Sequence, residues 1–314
     1  MRKNVVVFGG GTGLSSLLKG LKQYPLNLTA VVTVSDDGHS TGRLREEFNI
    51  PAVGDLRRVI VALSETEPLV EQIFNYRFQT TSDLDGHTLG NLLLTAMSDI
   101  TENITNGIES FGKVINLKGQ VLPLTDSNVT LMGEMEDGSI IEGESHITKS
   151  DKKIKKVYYK EKPQANPKVL QAIKNADRII LSMGSLFTSI IPNLLCEEVI
   201  NKIDQSNANI MYVCNMMTQP GETTDFKVSD HVKLLNSYLG KRKVNTVIVN
   251  NGKLSETLVR KYETLEQKDP VVIDHENLKE LNIDLIEKNF VSIEDGVIRH
   301  NSAKLSFQIF SVIM

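Results

Sequence analysis

The chain has 314 residues, of which 40% are hydrophobic and 24% charged, and its formal net charge is −4. These values are typical of a soluble globular protein and give no reason to expect nucleic acid as a partner. The length predicts two domains, or one large α/β domain with an insertion. No apolar stretch approaches the length of a membrane span, so we expect none.

The cysteines and the amino terminus indicate a cytoplasmic location. Cys196 and Cys214 lie in apolar surroundings without CxxC spacing, which is typical of buried thiols in a reducing compartment. The first residues, MRK, lead directly into an apolar run and leave no room for a signal peptide.

The stretch VVVFGGGTGLSSLLKGL, residues 5–21, predicts a strand, a glycine turn and a helix. Glycines let a ligand approach the backbone, and a helix start attracts phosphate through its free N–H groups and its dipole. A glycine turn that merely packs the helix on its strand is the alternative, but four glycines exceed that need. We therefore predict an anion site at Gly9, Gly10, Gly11, Thr12 and Gly13.

This glycine turn fits neither of the two common nucleotide-binding motifs. Reading G-x-G from Gly9 or from Gly11 puts Leu14 or Ser16 at the third glycine of a dinucleotide fingerprint. No Gly-Lys-Ser/Thr follows, which excludes a P-loop. The turn by itself therefore indicates phosphate and nothing finer.

The following elements predict a doubly wound sheet. A second buried strand at 28–34 completes a βαβ unit, which implies a parallel sheet with its ligand crevice at the carboxyl ends of the strands. An alternating segment with a turn at Asp137-Gly138 predicts a hairpin, and the lysine-rich run 149–162 predicts a solvated edge strand. Helices are expected at 67–78, 88–115, 167–175 and 303–314, and further strands at 178–182, 209–214, 244–250 and 270–273.

We therefore expect a single α/β nucleotide-binding domain over residues 1–314. Its sheet should be Rossmann-like, doubly wound and mostly parallel, with helices on both faces. A small β-rich insertion should occupy about 120–162.

Five polar loops leave predicted strands or enter predicted helices, and so should line one crevice. The loop 35–48 offers carboxylate, hydroxyl and guanidinium groups, and a solvated turn is its plainer interpretation. Asp55 either caps the next helix or, with Asp37, holds a divalent ion carried in with a diphosphate. The candidates in these two loops and in the loop before the helix at 88 are Asp36, Asp37, Ser40, Arg43, Asp55 and Asn91.

Two later loops add to the predicted crevice. The segment MGSLFTS repeats the strand–glycine–helix pattern and predicts a second anion-binding helix start, whereas CNMMTQPGET offers amide and hydroxyl groups suited to a base or a sugar. Arg57 and Arg58 are adjacent on a helix, so at most one should face the crevice. The candidates in the two later loops are Gly184, Ser185, Thr188, Ser189, Asn215 and Thr218.

In this order, GGGTGL, SDDGHSTGRLR, AVGDLRR, GHTLGN, GSLFTSIIPNLL and NMMTQPGET resemble the YvcK/CofD-like family. That family holds the gluconeogenesis factor and, more distantly, 2-phospho-L-lactate transferase. The resemblance runs from Val5 to the last helix. One departure is Ser182-Met183, where the family usually has Gly-Pro before Gly-Ser.

The resemblance implies a Rossmann-like fold that binds a nucleotide diphosphate. The YvcK branch resembles binders of UDP-sugars, UDP-N-acetylglucosamine in particular, and is associated with cell shape and growth on gluconeogenic carbon sources. Tyr262 and Arg299 match positions tied to UDP-sugar binding in that branch. This implies a regulatory protein with a protein partner still to be identified, and a homo-oligomer is left open.

The alternative function is a transferase that moves a phosphate-bearing group from a nucleotide, with magnesium on the diphosphate. The sequence offers no evident nucleophile–base pair, which favours the regulatory protein without excluding phosphoryl transfer. A nicotinamide-dependent enzyme is the third hypothesis, and the broken glycine fingerprint argues against it.

Overall fold

The computed structural model describes residues 2–65, 68–294 and 296–314. Its strands are β1 (Lys3–Gly9), β2 (Leu26–Val32), β3 (Gln120–Pro123), β4 (Leu131–Met135), β5 (Ile140–Glu142), β6 (Ile154–Tyr159), β7 (Arg178–Leu181), β8 (Asn209–Val213), β9 (Thr246–Asn250), β10 (Asp284–Lys288), β11 (Val291–Glu294) and β12 (Val297–His300).

The α-helices of the same residues are α1 (Gly11–Leu21), α2 (His39–Phe48), α3 (Gly54–Leu63), α4 (Pro68–Asn75), α5 (Leu89–Ile100), α6 (Ile104–Val114), α7 (Glu144–Lys149), α8 (Pro167–Lys174), α9 (Glu197–Asp204), α10 (Val228–Tyr238), α11 (Glu256–Glu266), α12 (His275–Glu280) and α13 (Ser302–Ile313). A π-helical turn, Leu186–Ile190, and a 3-10 turn, Ile191–Leu194, follow β7.

The main sheet has seven strands in the order β10-β9-β8-β7-β1-β2-β3, and every neighbouring pair is parallel. The chain moves outward from β1 through β2 to β3, and later outward from β7 in the other direction. The strand order therefore reverses between β1 and β7, where a doubly wound sheet places its ligand crevice. The predicted α/β fold class is confirmed.

Alternation along β1 explains why helices cover both faces of the sheet. Val6 and Phe8 belong to one buried cluster, whereas Val5 and Val7 belong to the other. Successive side chains of a strand point to opposite faces, so an uninterrupted apolar run requires a hydrophobic layer on each side. The leucine stripe of α1 supplies part of the second layer.

Two small antiparallel sheets lie outside the main sheet: β5-β4-β6 and the hairpin β11-β12. The turn predicted at Asp137-Gly138 joins β4 to β5, and Gly138 has the positive φ of 82° that favours glycine there. As predicted, the lysine-rich β6 is an edge strand. Lys155 and Lys156 form ion pairs with Glu134 at 2.7 and 2.9 Å, so these two lysine charges are paired at the surface of the small sheet.

Several element boundaries differ from the predictions. The predicted helix 88–115 is two helices, α5 and α6, because the side chain of Asn103 accepts from the backbone N–H of Asn106 and begins α6 there. The predicted helix 67–78 spans Pro68–Asn75, and its expected start at Glu67 lies outside the described residues. Pro270 makes only an isolated bridge in place of the predicted strand.

Two helices and three strands between residues 256 and 300 were not predicted from the sequence, because few of their residues are buried. Those missed elements are α11, α12, β10, β11 and β12. Within the described ranges, no helix has both the length and the apolar character needed to span a membrane.

Candidate functional site

A cleft of about 460 Å³ opens where β1 and β7 end, at the point where the strand order reverses. This volume lies within the range of roughly 300–1,000 Å³ that is typical of small-molecule sites. The structure brings most of the predicted site residues together around this cleft. Those that line it are Gly10, Gly11, Thr12, Gly13, Gly184, Ser185, Ser189, Asn215, Thr218, Tyr262 and Arg299.

The glycine turn leaves the start of α1 open toward the cleft. Gly10 precedes the helix in an extended conformation and has no side chain to cap it, while the carboxyl of Asp55 takes a backbone hydrogen bond from Gly11. The first backbone N–H groups of a helix have no intrahelical partner, so those after Gly11 can bind an anion. Gly11 has φ of +55°, a conformation that favours glycine.

The other glycines of the turn serve close packing. A Cβ on Gly13 would lie 2.0 Å from the carbonyl oxygen of Met183, so α1 touches the backbone of the loop after β7. A Cβ on Gly9 would lie 2.1 Å from Oγ of Ser182. Gly9 does not line the cleft, and the residues Ser182-Met183 that depart from the family pattern are the ones that pack against this turn.

The helix start after β7 is occupied by a carboxylate of the protein itself. Glu222 accepts from Oγ of Ser185 at 2.6 Å and from the backbone N–H of Phe187 at 3.3 Å. The hydroxyl and the backbone N–H of Thr188 both donate to Oγ of Ser185. Burial raises the pKa of Glu222. The predicted second anion-binding helix start is therefore filled from within, by a residue that the sequence analysis did not select.

Two other predicted ligand contacts hold the loops of the cleft in place. The side-chain amide of Asn215 bonds both backbone groups of Gly184, at 2.9 and 2.7 Å. The hydroxyl of Thr218 accepts from the backbone N–H of Asp269 at 2.9 Å. Both side chains line the cleft, but these polar groups are already paired with backbone.

The far wall of the cleft carries Tyr262 and Arg299. Tyr262 is 6% exposed, packs with Met216 and Ile298, and accepts a hydrogen bond from the backbone N–H of Ile298 at 3.0 Å. This bond ties α11 to β12, the strand that carries Arg299. Arg299 is exposed and lines the cleft, and its guanidinium makes no hydrogen bond or ion pair with another described residue.

Three carboxyl groups lie behind the glycine turn. Oδ2 of Asp55 is 2.8 Å from the position that a Cβ on Gly10 would take. Burial and the neighbouring charge of Asp36 raise the pKa of Asp55 to about 6. Burial and Asp36 also raise the pKa of Glu144 to about 7, although a hydrogen bond with Thr188 opposes that rise. Glu144 comes from α7, and no local signal in the sequence distinguishes it.

Asp37 faces away from this acidic group. Its Oδ1 accepts from the backbone N–H of Ser145 at 2.8 Å and so binds α7 to the loop after β2. The pair of Asp37 and Asp55 suggested for magnesium is not formed, because neighbouring residues of an extended loop point in different directions and Asp36 takes that place. Within the described residues, no three His, Cys, Asp or Glu side chains form a group that could hold a metal ion.

Of the remaining predicted residues, Ser40 and Asn91 belong to a separate buried network, and Arg43 is exposed beside it. Oγ of Ser40 lies 3.0 Å from Nδ1 of His87 and accepts from the side-chain amide of Asn91 at 3.1 Å. Burial lowers the pKa of His87. Arg43 donates to the carbonyl oxygens of Asp83 and Asp85. These side chains hold the loop before α5 against α2, and they do not line the cleft.

Comparison with known proteins identifies the family. Residues 5–291 match the family model described as 2-phospho-L-lactate transferase CofD. This chain belongs to the CofD family. The matched range includes Tyr262 and ends before Arg299.

The relatives within the CofD family carry a more specific name. A protein of Halalkalibacterium halodurans named gluconeogenesis factor is 48% identical over 306 residues, which cover 97% of this chain and 95% of that protein. A Bacillus subtilis protein of the same name is 44% identical and covers 97% of this chain and 96% of its own length. A crystal structure of a Bacillus halodurans protein has a TM-score of 0.95 at 48% identity, covering 99% of this chain and 100% of that one. The resemblance stated from the sequence motifs is therefore confirmed.

Proposed function

We propose that this chain binds a UDP-sugar, UDP-N-acetylglucosamine in particular, in the cleft between β1 and β7. The supporting observation is that the start of α1 and Arg299, whose guanidinium has no partner among the described residues, line one cavity of about 460 Å³. A helix start attracts phosphate, and arginine can bind a diphosphate with two parallel hydrogen bonds. Tyr262 lines the same wall and holds the strand of Arg299.

In this proposal the protein is a cytoplasmic regulator whose UDP-sugar occupancy alters its binding to another protein. The name gluconeogenesis factor, carried by close relatives, supports a link to carbon metabolism, and we extend it to cell shape. The polar side chains of the cleft also favour binding over turnover. The side chains of Asn215 and Thr218 are paired with backbone groups, and the hydroxyl of Ser185 is held by Glu222, whose carboxylate also accepts from the backbone N–H of Phe187 at the helix start after β7.

The alternative is a transferase that moves a phosphate-bearing group from a nucleotide diphosphate. The observation that favours it is the acidic group directly behind the glycine turn, together with the family name. Carboxylate oxygens suit magnesium. With Asp37 bound to α7, Asp36 and Asp55 are the residues that would hold an ion arriving with the diphosphate, and that ion would stabilise charge on the transferred group.

The first experiment compares melting temperatures with UDP-N-acetylglucosamine, UDP, GDP and NAD, with and without magnesium. A ligand of the folded state raises the melting temperature by mass action, and UDP-N-acetylglucosamine should raise it most. Arg299→Ala should weaken UDP-sugar binding by about tenfold or more in calorimetric titration, because it removes a charged hydrogen bond. Arg260→Ala is the matched control, since Arg260 is an exposed arginine of α11 outside the cleft.

Two outcomes would overturn this assignment. If NAD raised the melting temperature and UDP-sugars did not, the ligand would be a dinucleotide and not a UDP-sugar. Release of UDP from UDP-N-acetylglucosamine by the wild type with magnesium and cytoplasmic extract, lost in Asp36→Asn, would make the protein a transferase.

A further inference from the structure

Arg58 lies beside the glycine turn, although it does not line the cleft as Arg299 does. Its Nη1 is 3.7 Å from the position that a Cβ on Gly11 would take. Gly11 itself lines the cleft at the start of α1. The guanidinium of Arg58 therefore reaches, from α3, the same helix start that the proposed ligand approaches from the cleft.

The adjacent arginine serves a different purpose. Arg57 is buried and donates to the carbonyl oxygen of Phe74 at 3.4 Å and to the side chain of Asn75. Burial lowers the pKa of Arg57 to about 10. Consecutive residues of a helix point in different directions, so one arginine packs under α4 and only the other is available at the glycine turn.

Asp55 holds Arg58 in this place. Oδ1 of Asp55 lies 3.3 Å from Nη1 of Arg58, and Asp55 also takes a backbone hydrogen bond from Gly11. The side chain of Arg58 is 47% exposed, and Asp55 is its single hydrogen-bond partner among the described residues. A guanidinium has five N–H donors, so several remain free for an anion.

We propose that Arg58 binds a phosphate of the ligand at the start of α1 and that Asp55 is its positioning residue. This inference rests on the proposed function and deepens it. Arg299 lines the cleft from β12, and Arg58 reaches the glycine turn of the same cleft from α3, so the ligand meets two guanidinium charges. Two such charges suit a ligand with two phosphate groups, so the site selects nucleoside diphosphates and their sugar esters over monophosphates.

The test is a calorimetric titration of UDP-N-acetylglucosamine, UDP and UMP into the wild type and five variants. Arg58→Ala should weaken binding of the two diphosphate ligands by about tenfold, the effect of one charged hydrogen bond, and should weaken UMP binding less. Arg58→Lys should recover part of the loss, because it restores the charge without the planar fork. Arg2→Ala removes the same charge at the amino-terminal edge of the sheet and should leave all three affinities unchanged.

Asp55→Asn tests the positioning role separately, because it preserves the shape of the side chain and removes its charge. It should weaken UDP binding less than Arg58→Ala does, and the double variant should bind no more weakly than Arg58→Ala alone. Circular dichroism of each variant checks the fold, and Arg58→Lys serves as the test should Arg58→Ala fail to fold.

The outcomes separate this inference from the proposed function. Wild-type affinity for UDP in Arg58→Ala would remove Arg58 from the site while leaving the UDP-sugar proposal standing. An equal loss in Arg2→Ala would assign the effect to long-range charge and would also overturn the inference. Absence of binding of all three ligands to the wild type would overturn the proposed function itself.

Discussion

Gly13 has no side chain, and this lets the start of α1 contact the backbone of the loop after β7. A Cβ there would meet the carbonyl oxygen of Met183 at 2.0 Å, and backbone cannot swing aside as a flexible side chain can. Gly13→Ala should therefore lower the free energy of unfolding by about 1–3 kcal/mol, the usual effect of overpacking. It should also weaken UDP-sugar binding, because the start of α1 must shift. Urea unfolding and calorimetric titration measure the two effects.

Thr12→Ala is the control for this prediction. Thr12 is exposed in the same turn of α1. The free energy of unfolding of Thr12→Ala should therefore differ from that of the wild type by no more than about 0.5 kcal/mol. If Gly13→Ala were as stable as Thr12→Ala, the close approach of the two loops would not constrain the site.

Among the elements, the helical turn after β7 depends on a residue from a distant loop. Glu222 is 6% exposed and accepts from Ser185 and from the backbone N–H of Phe187. Glu222→Ala removes the acceptor of both donors and leaves the backbone N–H of Phe187 buried without one, which should lower the free energy of unfolding by about 1–3 kcal/mol. Glu222→Gln keeps an acceptor oxygen and should cost less.

Chemical denaturation of the two Glu222 variants provides the measurement. Equal stability of Glu222→Ala and the wild type would show that this turn forms without the carboxylate. The result also bears on ligand binding. If Glu222 fills the helix start after β7, the ligand phosphate must bind at the start of α1 instead.

The pH dependence of stability belongs to the whole molecule. Burial lowers the pKa of His231 to about 4, and Nδ1 of His231 lies 2.9 Å from the hydroxyl of Tyr212. In the unfolded chain the imidazole binds a proton near pH 6.5. The contribution of the buried, neutral His231 to the free energy of unfolding is therefore fully present above about pH 6.5 and is lost as the pH falls toward 4. Asp55 and Glu144 act in the opposite sense, because burial raises their pKa values to about 6 and about 7.

A difference measurement isolates His231 from these opposing groups. The stability lost in His231→Gln should be smaller at pH 4.5 than at pH 7.5, by about 2 kcal/mol. Chemical denaturation at both pH values measures it, and His39→Asn shows the effect of removing an exposed imidazole. A difference between His231→Gln and the wild type that does not change with pH would contradict a buried, neutral His231.

Local patterns were sufficient to predict the architecture of this molecule. The apolar run of β1, the glycine turn and the leucines of α1 are neighbours in the sequence, so periodicity alone predicts a βαβ unit. The right-handed crossover of such units then predicts a parallel sheet with its crevice at the carboxyl ends of the strands. The break in the helix predicted from residue 88 was missed. Asn103 can cap α6 only because α5 ends before it, and the local pattern does not show that end.

The tertiary structure alone decided which polar group occupies which place. Glu222, Asp37 and Asp55 are all carboxylates in polar segments of the sequence, yet Glu222 fills a helix start, Asp37 binds α7 and Asp55 holds Arg58. Those partners come from distant segments or depend on which way a loop residue points, and a sequence pattern carries no information on either. The same holds for Tyr262 and Arg299. Only the resemblance selected them, and only the fold brings them into the cleft that the glycine turn also lines, because this cleft is assembled from segments nearly 300 residues apart.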